Sequence, residues 1–90
     1  PAAPVRFQQV QMIVAERCTV CHSARPSHPA FSSAPAGILL DNPDQIIKQA
    51  ALIYNQAVAT QVMPLGNITH MTAPERDLLD RWIQQGAAAE

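Results

Sequence analysis

Cys18-Thr19-Val20-Cys21-His22 is the stretch from which the rest of this chain is read. Two thiols three positions apart both reach outward from one tight turn or helix end, and an imidazole follows directly. This C-x-x-C-H spacing is the attachment signature of a covalent c-type haem. The two sulfurs form thioethers with the two vinyl groups of one porphyrin, and the histidine lies under the ring as proximal ligand to the iron. Cys18, Cys21 and His22 are therefore the expected cofactor-binding residues, His22 is a metal ligand, and the expected cofactor is one covalent haem c. The protein's part is then to tune and expose an iron centre.

The C-x-x-C pair alone is less specific. In thioredoxin-like dithiol proteins it opens a helix after a strand, and no strand pattern precedes Cys18. A tetrahedral zinc site would take Cys18, Cys21 and two of His22, His28 and His70. Structural zinc sites place the second ligand pair at close spacing, whereas His28 and His70 lie far apart. Two buried free cysteines would leave the adjacent His22 without a role. Haem is the reading that needs all three residues at this spacing.

Ninety residues make one small domain. A chain this short buries a limited share of its surface, and small scaffolds lean on a staple or cofactor. The apolar fraction is 48%, much of it alanine, and the aromatic residues are Phe7, Phe31, Tyr54 and Trp82. A haem would add the large flat apolar body these side chains do not supply. Net charge is −1 with the basic residues scattered, which gives no reason to expect nucleic acid or an anionic membrane surface as partner. No run of about eighteen apolar residues is present, so no transmembrane helix is expected in this stretch, and no signal peptide is read. The opening P-A-A-P (residues 1–4) reads as linker-like and residues 87–90 as a tail, as in a domain taken from a longer chain.

Three helical segments are predicted. The first runs from about Val5 to the motif, with Phe7, Val10, Val14 and Cys18 at helical spacing. Between Ser23 and Leu40 the prolines Pro26, Pro29 and Pro35, together with Gly37, break any period and predict a long irregular loop. A loop of that length needs a reason, and wrapping one haem edge is such a reason. The second ring nitrogen of His22 also needs an acceptor, for which a loop carbonyl near Pro29 or Pro35 is the candidate. The second helix opens with Asp41 or Asn42 as cap and Pro43 at its first position. It carries Ile46, Ile47, Ala50, Ile53, Tyr54, Ala57 and Val58 and ends near Thr60. Thr72 and Glu75 form a capping box for the third. There Leu78, Leu79, Trp82 and Ile83 make the apolar stripe and Gly86 fits the C-terminal cap. The predicted fold class is all-α.

An iron held by one histidine leaves a sixth position, and filling it with a soft thioether favours the ferrous state and raises the potential. Met63 is the expected ligand, since Pro64 stops helix continuation and lets the loop V-M-P-L-G-N project the sulfur. Met71, His70 and His28 are the alternatives. Met12 reads as core or surface. Trp82 is expected to pack between the first and last helices. Tyr54, Arg25 and Asn67 are candidates to hydrogen-bond propionates or the methionine sulfur.

An N-terminal helix with an aromatic, C-T-V-C-H, an irregular loop, a middle helix, a Met-Pro loop and a final amphipathic helix, in that order, resemble class I cytochrome c domains over nearly the whole chain. A narrower resemblance rests on A-G-I-L-L-D, Q-A-V-A-T-Q-V-M-P-L-G-N-I-T-H-M-T and E-R-D-L-L-D-R-W-I-Q-Q-G-A. These stretches look like the C-terminal cytochrome domain of bacterial membrane-bound urate oxidases. The resemblance implies a small cytochrome c fold of three main helices with long loops around one haem. It implies that Cys18 and Cys21 bind haem covalently, with His22 and Met63 as axial ligands. It further implies that a membrane domain oxidises urate in purine breakdown and this domain passes the electrons to the respiratory chain.

The expected function is therefore single-electron transfer, without catalysis by this domain alone. The expected partners are a redox donor domain, in the same chain on this reading, and an acceptor such as a cytochrome or terminal oxidase. The expected location is the periplasmic side of the bacterial inner membrane. Alternatives are a stand-alone periplasmic cytochrome c serving another dehydrogenase, a haem sensor or peroxidase with an open sixth site, and a zinc-stabilised interaction module.

Overall fold

In helix α1, Phe7–Arg17, the apolar residues Phe7, Val10, Ile13 and Val14 recur on one side and are buried. The computed structural model to which it belongs describes residues 4–89, the side chain of Leu65 excepted. Gln9 Oε1 accepts the Arg6 N–H at 3.1 Å and satisfies one donor at the start of the helix. At the other end the chain does not simply stop. The N–H groups of Cys18 and Thr19 both donate to the Val14 carbonyl, at 2.9 and 3.1 Å, and those of Cys21 and His22 both donate to Cys18, at 3.2 and 2.9 Å. The C-x-x-C-H stretch is thus a wound extension of α1.

The middle helix begins as predicted. Asn42 Oδ1 accepts the Gln45 N–H at 3.0 Å, and Gln45 Oε1 reaches back to the N–H groups of Asp41 and Asn42. It is not continuous to Thr60, however. α2, Pro43–Lys48, and α3, Ala50–Ile53, are separated at Gln49, where φ is −98° and ψ 14°. The Gln49 N–H is shared between the carbonyls of Gln45 and Ile46, a local tightening of the ladder. The following residues, Tyr54–Ala59, widen into a π turn. Ile46, Ile53 and Ala57 remain buried through both irregularities.

Helix α4, Ala73–Gln84, has the expected capping box, with Thr72 Oγ1 accepting the Glu75 N–H at 3.3 Å and Glu75 Oε1 accepting the Thr72 N–H at 2.8 Å. Gly86 at φ 108° lets the chain turn off the helix, and the Ala87 N–H donates to the Trp82 carbonyl at 2.9 Å. Leu79 and Trp82 face inward. Phe7 and Trp82 pack ring against ring with centroids 5.8 Å apart and planes at 47°, as expected for a tryptophan between the first and last helices. The Trp82 Nε1–H donates to the Ala88 carbonyl at 2.9 Å, and the Val5 N–H donates to Gln85 Oε1 at 2.8 Å. Val10, Val14, Ile46, Leu79 and Trp82 are the largest fully buried side chains, each worth about 1.5–3 kcal/mol of transfer free energy.

The long loop after the motif is irregular apart from a short turn at Pro35–Gly37. It is tied back by the His28 N–H to the Val20 carbonyl and the Leu40 N–H to the His22 carbonyl, each 2.9 Å. Among the described residues the chain is helical and contains no strand.

Candidate cofactor site

Two adjoining cavities of about 430 and 230 Å³ share Cys18, His22, Ala57 and Met63 as lining. The larger also takes in Cys21, His28, Phe31 and Pro64, and the smaller takes in Ile38, Leu40, Ile53 and Leu79. All four residues predicted to hold the cofactor, Cys18, Cys21, His22 and Met63, therefore come to one place from two distant parts of the sequence. The walls are almost wholly apolar.

His22 Nδ1 lies 3.0 Å from the Ile38 carbonyl. A carbonyl only accepts, so Nδ1 is the donor, and in the neutral ring the lone pair then resides on Nε2. That is the tautomer a metal-ligating imidazole needs, with its orientation fixed by the second nitrogen. The acceptor is three residues beyond Pro35, closer to that candidate than to Pro29.

Burial pushes the Cys18 thiol up to about 12, with Arg76 acting in the opposite direction, and burial also raises Cys21. An activated dithiol shows the reverse, a lowered thiol pKa. The two sulfurs are protonated groups on the wall of an apolar cavity. No three His, Cys, Asp or Glu side chains among the described residues form a group able to hold a metal ion. The arrangement of Cys18, Cys21 and two histidines considered for zinc is not assembled here.

Met63 is anchored through its main chain. Its N–H donates to the Gln56 carbonyl at 2.7 Å, and its carbonyl accepts from Arg76 Nη1 at 2.8 Å. The Met63–Pro64 peptide is cis and Pro64 is buried. The same Nη1 of Arg76 donates to the Ala57 carbonyl at 2.7 Å. Arg76 was not singled out by the sequence reading, although it stands three residues before Leu79 and seven before Ile83, within the apolar stripe of α4.

A second arginine lines the larger cavity itself. Arg17, one residue before Cys18, donates from Nε and Nη2 to the two carboxylate oxygens of Glu75, at 3.1 and 3.2 Å, and from Nη1 to the Thr69 carbonyl. Thr69 Oγ1 returns a hydrogen bond to the Arg17 carbonyl at 2.9 Å. Burial alone would raise the Glu75 carboxyl, but the Thr72 N–H and the Arg17 guanidinium outweigh it and hold the group below the usual carboxylate range.

The remaining candidates separate. Met71 is buried in the helical core and does not line either cavity. It is the residue before the α4 N-cap, Thr72. His70 is exposed. His28 lines the larger cavity, and its Nδ1 accepts the Ala30 N–H at 3.1 Å. Met12 is 60% exposed. Asn67 spends its side chain on the Met71 backbone, donating to its carbonyl and accepting from its N–H. Arg25 is exposed and Tyr54 partly buried.

The donor set and its surroundings fit a flat, apolar, iron-bearing macrocycle. The fit lies in two thiols, an imidazole whose Nδ1 donates to a carbonyl, and a thioether on the walls of adjoining apolar cavities. No helix among the described residues is long and apolar enough to cross a membrane. Comparison with protein-family models, curated proteins and solved structures gives no match.

Proposed function

We propose that this chain is an electron-transfer domain carrying one covalent haem c, attached through Cys18 and Cys21 and ligated by His22 and Met63. The observation that carries the reading is the convergence of those four side chains on adjoining apolar cavities. The haem iron, when bound, supplies a one-electron ferric–ferrous couple. Cys18 and Cys21 fix the macrocycle to the end of α1. His22 offers Nε2 while the Ile38 carbonyl holds its Nδ1 proton. Met63 offers a soft sulfur that favours the reduced state. The apolar walls lower the local dielectric, which adds to the same preference.

On the narrower resemblance, the donor is a membrane-bound urate oxidase domain of the same polypeptide. The acceptor is then a respiratory-chain cytochrome or terminal oxidase on the periplasmic side. The stretches A-G-I-L-L-D, Q-A-V-A-T-Q-V-M-P-L-G-N-I-T-H-M-T and E-R-D-L-L-D-R-W-I-Q-Q-G-A support this donor. The arrangement of Met63 favours a filled sixth position over the sensor or peroxidase alternative, because its backbone is hydrogen-bonded on both sides.

The test is an optical and redox titration of the haem-loaded protein. The expected result is a reversible one-electron transition, a low-spin spectrum in both states and a sulfur-to-iron charge-transfer band in the oxidised state. A high-spin ferric spectrum, with rapid binding of peroxide or a diatomic gas, would contradict the electron-transfer reading.

A further inference from the structure

We infer that Arg76 is the positioning residue for Met63, aiming the sulfur donor by gripping the Met63 backbone rather than by touching the sulfur. This deepens the haem reading above and rests on it. Among the described residues Arg76 is the one buried charged side chain, only 9% exposed. Placing a guanidinium inside a small helical domain is unfavourable unless its N–H groups are satisfied, and an apolar residue at that point in the α4 stripe would pack with less loss. What the arginine provides instead is one nitrogen shared by two carbonyls, Ala57 at 2.7 Å and Met63 at 2.8 Å.

Those two carbonyls belong to different segments, the π turn Tyr54–Ala59 and the loop before α4. Gln56, in the same π turn, accepts the Met63 N–H at 2.7 Å. Both main-chain polar groups of Met63 are therefore tied to one structural unit, one directly and one through Arg76. Around it the loop is open, with Gln61, Val62, Asn67 and Ile68 exposed. Fixing the peptide groups on either side of a Cα fixes the direction of its Cα–Cβ bond, and with it the set of rotamers that reach a given point. Ala57 and Met63 also line both cavities, so the grip lies against the site it orients.

The experiment compares haem-loaded wild type with Arg76→Gln, Arg76→Lys and Val10→Ala. Val10 is fully buried in α1 and lines neither cavity, so its truncation reports the effect of destabilisation alone. Readouts are the ferric sulfur-to-iron band and the concentration of imidazole that displaces the methionine. Loss of one hydrogen bond to a charged group predicts displacement by imidazole at a roughly tenfold lower concentration in Arg76→Gln, with a weakened band. Arg76→Lys, which keeps the charge and reaches one carbonyl, shifts both in the same direction by a smaller factor, and Val10→Ala leaves both at wild-type values. Wild-type band and imidazole affinity in Arg76→Gln would overturn the inference, as would an equal shift in Val10→Ala. Should Arg76→Gln fail to load haem, wild-type values in Arg76→Lys would overturn it. A wild-type protein without the band removes the ligation reading itself, a result distinct from the others.

Discussion

Arg17 and Glu75 meet as a bidentate pair across 58 positions of sequence, Nε to Oε1 at 3.1 Å and Nη2 to Oε2 at 3.2 Å. The arginine is the residue before Cys18, and the carboxylate is the capping-box residue of α4. Because Arg17 also donates to the Thr69 carbonyl, one guanidinium joins the segment bearing the cysteines to the loop that follows Met63. The side chains are about one-fifth exposed, 22% and 21%, so solvent screens the pair less than at an open surface.

The pair should make stability depend on acid. The folded-state pKa of Glu75 lies below its ordinary value, so its contribution is complete above the unfolded carboxylate pKa of roughly 4.3 and is lost as pH falls through the lower folded value. Glu75→Gln keeps an acceptor for the Thr72 N–H and removes the charge. It should cost about 1 kcal/mol at neutral pH, with the gap to wild type closing in acid. Urea unfolding at stepped pH measures this, and a gap constant down to pH of about 2 would contradict the assignment.

Met63 and Met71 should separate ligand from core. Met63→Ala removes the ferric sulfur-to-iron band while leaving most of the stability, since Met63 is only partly buried. Met71→Ala leaves the band in place and costs about 2–5 kcal/mol, the usual loss for truncating a buried large apolar side chain. The two variants need only a ferric spectrum and a denaturant melt. Interchange of the two phenotypes would place the ligand at position 71.

Trp82 tests the contact between the terminal helices. Trp82→Phe keeps a ring against Phe7 but loses the hydrogen bond to Ala88, predicting a loss of about 1 kcal/mol, whereas Trp82→Ala leaves a cavity and costs about 3–5 kcal/mol. Chemical denaturation followed by far-ultraviolet circular dichroism discriminates the two. Equal losses would mean that the ring contact contributes little.

Local chemistry made much of this arrangement legible. Asn42-Pro43 and Thr72-x-x-Glu75 announce helix starts because side-chain acceptors satisfy orphan N–H groups, and the caps stand where they were read. The apolar period of α1 leads into the motif because a helix that buries one face repeats its apolar residues at helical spacing. The break at Gln49 and the π turn after Ile53 were not legible, since apolar residues recur through both and the geometry is a choice among main-chain hydrogen bonds. The acceptor for His22 proved to be the carbonyl of Ile38, an atom every residue carries and no sequence marks. Arg76 did leave a trace, a charge one turn before Leu79 on the apolar stripe of α4. An arginine on an amphipathic helix is ordinarily a solvated residue, and only the fold shows that its partners are carbonyls.

The most direct measurement is the intact mass and denaturing-gel haem signal of the chain produced with the cytochrome maturation machinery, beside the double variant Cys18→Ala with Cys21→Ala. The account predicts a wild-type mass raised by one haem that stays with the polypeptide through denaturation, and loss of that covalent retention when both cysteines are replaced. A wild-type chain of unmodified mass without tetrapyrrole absorbance, produced alongside a cytochrome that matures normally, would contradict it.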